Sequence, residues 1–137
     1  MKIIDGKNAV LGRVASYAAK QALQGEDVVI VNCKDLIITG NQEFTEKNIQ
    51  TRRSRIGWSR QGQRYSRSTE KMVKTTIRGM LPNYRLGRGK VAFERIKFYS
   101  DVPKEFEGAE KISIAKDKKK VFVKLKEVSK WNPIKVR

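Results

Sequence analysis

The fold is decided by residues 2–31, which read KIIDGKNAVLGRVASYAAKQALQGEDVVIV. Lys2–Asp5 is predicted as a short strand, and Val28–Val31 as a strand buried on both faces, because this β-branched run has no polar alternation. Between the two strands, apolar residues recur at helical spacing: Leu11, Val14, Ala15, Ala18, Ala19, Ala22 and Leu23. Gly25 stands where a left-handed cap would end that helix. This order predicts a right-handed parallel crossover.

Further elements follow along the chain. Leu36–Thr39 is predicted as a strand that stops at the turn pair Gly40-Asn41. A helix is predicted to begin near Ser68 and to end through Gly79 and Pro82. Its apolar face carries Met72, Val73, Ile77, Met80 and Leu81. A basic turn over residues 83–90, a short helix containing Ala92, Phe93 and Arg95, and a strand over residues 96–99 complete the prediction.

Composition limits the classes of protein that the chain can belong to. Its 137 residues suit one domain, and the apolar runs are too short for a membrane span among 33% charged residues. The first residues lack the apolar run of a secretory signal, so we expect a cytoplasmic protein. The one cysteine, Cys33, lies at the end of an apolar run, and we interpret it as a buried small hydrophobe rather than a reactive thiol.

The net charge of +17 is concentrated in the middle of the chain. Residues 1–49 carry six basic and six acidic side chains, whereas residues 50–100 carry fourteen basic side chains against two acids. An ordinary solvated surface mixes charges of both signs, because a field of one sign repels itself. This concentration therefore predicts a polyanionic partner, and nucleic acid fits better than an anionic membrane because no amphipathic apolar face accompanies the charges.

Residues 50–68 show no sustained period of 2 or 3.6, and they contain six arginines and no acid. We expect this stretch to be an extended basic loop that becomes ordered only on its partner. Arginine favours bidentate contact with phosphate, while Trp58 and Tyr65 either stack on unpaired bases or anchor the loop to the domain. The predicted RNA-binding residues are Arg52, Arg53, Arg55, Trp58, Arg60, Arg64, Tyr65, Arg67, Lys71, Lys74, Arg78, Arg85, Arg88 and Lys90.

Enzymatic alternatives find little support. Gly87-x-Gly89-x-x-Ala92 fits the dinucleotide fingerprint by spacing, but a basic turn and Pro82 precede it instead of a buried strand. The Walker spacing fails because Val91 follows Lys90. Without histidine, neither a histidine-based zinc site nor a histidine-activated nucleophile can form. Glu105 and Glu107 are interpreted as solvated surface. We expect no catalytic residue, metal, cofactor or small-molecule substrate.

Several stretches resemble one known family. They are residues 11–16 (LGRVAS), 29–33 (VIVNC), 38–41 (ITGN) and above all 77–82 (IRGMLP), and the match continues through Arg88-Gly89 to Pro103. The chain resembles the large-subunit ribosomal protein L13 family over roughly residues 2–105. The ending KVFVKLKEVSKW at Trp131 is similar to the archaeal and eukaryotic branch.

The resemblance implies a three-layer α/β/α domain on a small, mainly parallel sheet; residues 106–137 form the C-terminal segment of the same single domain, where the match to the family is weak. It also implies a structural, non-catalytic protein of the ribosome, with large-subunit ribosomal RNA and neighbouring ribosomal proteins as partners. A free nucleic-acid-binding regulator is the rival from another class, although no helix-turn-helix, zinc spacing or zipper supports it.

Overall fold

The computed structural model describes residues 1–55, 57, 59, 65–115 and 121–131. Its main sheet has four parallel strands in the order β4-β2-β1-β5, with β1 over Lys2–Asp5, β2 over Val28–Val31, β4 over Ile96–Phe98 and β5 over Ile112–Ser113. The α/β class and the mainly parallel sheet are thereby confirmed.

The first strand–helix–strand unit matches its prediction closely. Helix α1 covers Leu11–Leu23, and β1 pairs in parallel with β2 from Lys2 opposite Val28 to Asp5 opposite Val31. Its buried stripe consists mostly of valine and alanine: Val14, Ala15, Ala18, Ala19 and Ala22. These small side chains bring the helix backbone close to its neighbours. Gly25 has φ +98°, the left-handed conformation expected after the helix.

The two faces of β2 are covered differently. Val28 and Ile30 belong to the larger core cluster beneath the helices, whereas Val29 and Val31 pack with Ile3 in a second cluster. That second face is covered by the segment from Tyr99 to Ala109, which includes a 3-10 helix over Lys104–Phe106. Among the described residues, this side of the sheet is therefore covered by a loop that contains one short 3-10 helix.

A second sheet of two strands holds the element predicted over Leu36–Thr39. Strand β3 covers Ile37–Thr39 and pairs antiparallel with β6 over Phe122–Lys124, after which helix α5 runs over Leu125–Lys130. Val123, Leu125 and Val128 from β6 and α5 are buried in the larger core cluster. Neither β6 nor α5 was predicted.

The expectation that an extended loop begins at residue 50 is wrong. Helix α2 covers Gln42–Ser54, so Arg52 and Arg53 stand in its last turn. Its N-cap is Asn41, whose side chain accepts a hydrogen bond of 3.0 Å from the Glu43 amide. For the rest of the stretch, ordering on a partner stays a prediction, because residues 56, 58 and 60–64 lie outside the described residues.

Helix α3 covers Thr69–Met80 and α4 covers Gly87–Glu94. Ser68 occupies the predicted N-cap position but makes no capping hydrogen bond with its side chain. Met80 was placed on the apolar face, yet its side chain is 42% exposed, while Leu81 is buried. The basic turn is shorter than predicted, because α4 already begins at Gly87 and includes Arg88 and Lys90.

Candidate nucleic-acid interface

Three cations and two aromatic rings form one cluster between α3 and α4, which we call the α3–α4 cluster: Lys74, Arg78, Tyr84, Arg85 and Phe93. The Lys74 ammonium lies 5.2 Å from the Phe93 ring centroid. The guanidinium carbons of Arg78 and Arg85 lie 5.1 and 5.5 Å from the Tyr84 centroid. The two rings meet edge to face at 6.1 Å. The cations are therefore held in place by the rings.

Helices α3 and α4 both pack on α1, and the turn that joins them brings these side chains together. Met72, Val73 and Ile77 of α3 are buried, so the helical period turns Lys74 and Arg78 outwards. Gly89 of α4 is buried against the preceding turn, where a Cβ atom would lie 1.7 Å from the Pro82 carbonyl oxygen. Only a residue without a side chain fits at this contact.

The α3–α4 cluster is positively charged through Lys74, Arg78 and Arg85. The hydrogen bond that Arg85 Nε donates to the Tyr84 hydroxyl at 3.0 Å, together with the charges of Arg85 and Arg78, lowers the pKa of Tyr84. Among the described residues, the ion pairs lie elsewhere, between the Met1 amine and Glu26 and between Lys34 and Asp101. No described carboxylate therefore forms an ion pair with the α3–α4 cluster.

The other predicted cations on these two helices are exposed. Lys71 lies on α3, and Arg88 and Lys90 lie on α4. The glycine pattern that includes Gly87 and Gly89 follows a turn rather than a strand, and Gly89 already contacts protein backbone. Gly89 is thus not open to a pyrophosphate, in agreement with the rejection of the dinucleotide fingerprint.

Arg53 differs from the other predicted arginines because its guanidinium is partly buried. It donates hydrogen bonds to the carbonyl oxygens of Val128 at 2.9 Å, Ser66 at 3.2 Å and Trp131. Burial lowers the pKa of its guanidinium. We call this arrangement the Arg53 clamp: it joins the end of α2 to α5 and to the segment that leads into α3.

Tyr65 contacts the domain as well. Its partly buried ring packs against the core, and the Arg53 guanidinium carbon lies 5.7 Å from its centroid. This is the geometry expected of an anchor, while base stacking by Tyr65 stays a prediction. Arg52, Arg55 and Arg67 are exposed. Trp58, Arg60 and Arg64 lie outside the described residues.

A groove of about 760 Å³ separates the end of α2 from α3. Its described lining residues are Arg52, Arg55, Gly57, Tyr65, Met72, Thr75, Thr76 and Gly79. The predicted RNA-binding residues include Arg52, Arg55 and Tyr65 of this lining but not Thr75, Thr76 or Gly79. The sequence signal that could have pointed to them is their spacing, which places them beside the apolar stripe of α3.

Cys33 is fully buried, as predicted, and burial raises the pKa of its thiol to about 12. Among the described residues, no group of three or more potential metal ligands occurs. A search of the described residues finds no helix with the length and hydropathy of a membrane span.

Residues 1–105 match the family described as Ribosomal protein L13. The large ribosomal subunit protein uL13 of Methanocaldococcus jannaschii is 39% identical over 133 residues, covering 95% of this chain and 96% of that protein. Its counterpart in Thermoplasma volcanium is 41% identical over 133 residues with the same coverage. The Methanococcus maripaludis protein is 43% identical over 106 residues, or 75% of this chain and 77% of that protein. The chain therefore belongs to the ribosomal protein L13 family, as its sequence motifs predicted.

Proposed function

We propose that the protein is a structural constituent of the large ribosomal subunit in the cytoplasm, where it binds and stabilises ribosomal RNA and has no catalytic role. The observation that carries the proposal is family membership along nearly the whole chain, with relatives that are named as large-subunit proteins. The excess of basic over acidic side chains in residues 50–100 supports RNA as the main partner.

The α3–α4 cluster supplies the preferred RNA contact surface in this proposal. Its cations are positioned by Tyr84 and Phe93 before RNA arrives, so binding costs less side-chain entropy than it would for free lysines and arginines. The exposed arginines at the end of α2 extend the same positive surface. Neighbouring ribosomal proteins are the remaining partners, and no membrane or small-molecule substrate takes part.

Sedimentation of a cell extract tests the assignment to the ribosome. We expect the protein to migrate with the large subunit and to leave that fraction after ribonuclease treatment. A pool that sediments with DNA and resists ribonuclease would instead support the rival function, a free nucleic-acid-binding regulator.

A salt series tests the contact surface with two variants of equal charge. We expect the triple change Lys74→Gln, Arg78→Gln and Arg85→Gln to reduce the slope of log affinity against log salt by about 2–3, since each lost phosphate contact accounts for roughly 0.7–0.9. The control triple Lys7→Gln, Arg13→Gln and Lys20→Gln removes the same charge from another part of the surface. Equal slopes for the two triples would refute the proposed surface.

A further inference from the structure

We propose that the groove between α2 and α3 is a pocket for one unpaired RNA base, with Gly79 as the flat floor against which the base lies. This inference rests on the proposed function, because it specifies which RNA feature the protein binds. It begins from a glycine near the end of α3 that neither a positive φ nor a close contact explains.

Gly79 is the second-last residue of α3, and it is absent from the glycines with positive φ. A Cβ atom at Gly79 would meet no heavy atom within 4 Å. Glycine favours a helix less than alanine does, and neither a positive φ nor a close contact requires glycine at this position. Gly25 and Gly89 are different, because φ +98° explains the first and contact with Pro82 explains the second. Gly12 in α1 shows the same lack of contacts, so it is the position of Gly79 in the groove that points to the close approach of another molecule.

The groove beside Gly79 offers hydrogen-bond acceptors. The Thr75 hydroxyl donates to the Lys71 carbonyl oxygen at 2.8 Å, and the Thr76 hydroxyl donates to the Met72 carbonyl oxygen at 3.0 Å. Each hydroxyl oxygen keeps lone pairs after its proton has been used in this way. The two threonines can therefore accept hydrogen bonds from the amino or imino groups on the edge of a base.

The opposite wall and the rim complete a site for a nucleotide. Tyr65 provides an aromatic ring, while the exposed Arg52 and Arg55 place positive charge where a phosphate would lie. The described lining contains no carboxylate. Sequence-specific RNA recognition commonly uses bases that leave the stack and lie against aromatic side chains and arginine. The arginines at the rim and the absence of a described carboxylate favour an anionic nucleotide over the apolar face of a protein helix.

The experiment compares the full chain with Gly79→Ala and Gly79→Leu. Its probe is deproteinised large-subunit ribosomal RNA from Methanocaldococcus jannaschii, with transfer RNA as competitor. Affinity is measured by filter binding, and accessible bases are mapped with dimethyl sulfate and carbodiimide. Gly12→Ala is the matched control, because Gly12 also lies in a helix and its Cβ atom would also meet nothing within 4 Å.

We expect both Gly79 variants to bind about 5-fold to 150-fold more weakly, the range for losing the stacking of one base. Protection should disappear at one unpaired nucleotide and persist elsewhere. The melting temperature should be equal to that of the wild type or up to about 4 °C higher, because alanine and leucine favour the helix. Gly12→Ala should leave affinity and protection unchanged.

Several outcomes would overturn the pocket. They are wild-type affinity and protection with Gly79→Leu, weaker binding with no change in base protection, or an equal loss with Gly12→Ala. Unchanged RNA binding with loss of a neighbouring protein from reconstituted particles would assign the groove to a protein partner instead. If the wild-type chain does not prefer ribosomal RNA over transfer RNA, the proposed function itself fails.

Discussion

Replacing Arg53 with glutamine tests whether an arginine of the basic region serves the protein's own structure. The change removes a charged donor from three carbonyl oxygens, those of Val128, Ser66 and Trp131. Hydrogen bonds to charged groups contribute about 1.5–3 kcal/mol each. Arg53 is only partly buried, so water can partly compensate for the lost hydrogen bonds. We therefore expect the free energy of unfolding to fall by about 2–4 kcal/mol in total.

Urea unfolding measures that loss, and Arg52→Gln is the matched control. Arg52 is the adjacent residue, is exposed, and carries the same charge. We expect its replacement to change the free energy of unfolding by less than about 0.5 kcal/mol. It should lower the salt slope of RNA binding by roughly 0.7–0.9, whereas Arg53→Gln should leave that slope unchanged. Arg53→Gln with wild-type stability, or with a slope reduced like that of Arg52→Gln, would refute the structural role of the clamp.

Three further predictions concern the core. Gly89→Ala should lower the free energy of unfolding by about 1–3 kcal/mol, because α4 must move away from Pro82 to admit a methyl group. An unchanged melting temperature would contradict the observed contact. Ala18→Leu should overpack the stripe of α1 and cost about 1–3 kcal/mol in the same assay. The thiol pKa of Cys33 rises from 9.0 to about 12 on folding. At a pH between these two pKa values, the thiol is ionised only in the unfolded chain. The free energy of unfolding should therefore fall by about 1.4 kcal/mol per pH unit above pH 9. Cys33→Ala should remove this component, as urea unfolding at pH 8 and pH 10 would reveal.

Sequence patterns predicted the elements with long, regular apolar periods. Helix α1 and strand β2 were found because their buried positions form an uninterrupted stripe and an uninterrupted run. Helix α2 was missed because Ile49 is its one buried residue and Phe44 is 71% exposed. The capping side chain of Asn41 was a local signal for its start, but beside Gly40 it was interpreted as a turn.

Other differences depend on contacts between distant residues. Gly87 and Gly89 suggested a loop, yet Gly89 lies inside a helix because α4 packs directly on the Pro82 carbonyl. Strand β6 has only three residues, and its partner β3 lies far away in the sequence. The prediction of basic binding residues relied on charge, which does not distinguish an exposed cation such as Arg52 from Arg53 with its protein carbonyl partners. That distinction requires the positions of Val128 and Trp131.

The pairing of β3 with β6 also sets an order for folding during synthesis. Residues 37–39 leave the ribosome long before residues 122–124, whereas the β1–α1–β2 unit is formed by residues close together in sequence. Contacts between distant residues form slowly and leave a strand edge open until they form. The acceptors of Arg53 on Val128 and Trp131 also emerge late. A nascent chain therefore carries Arg53 before its carbonyl partners exist, and a polyanion bound to that guanidinium would have to leave before the Arg53 clamp could form.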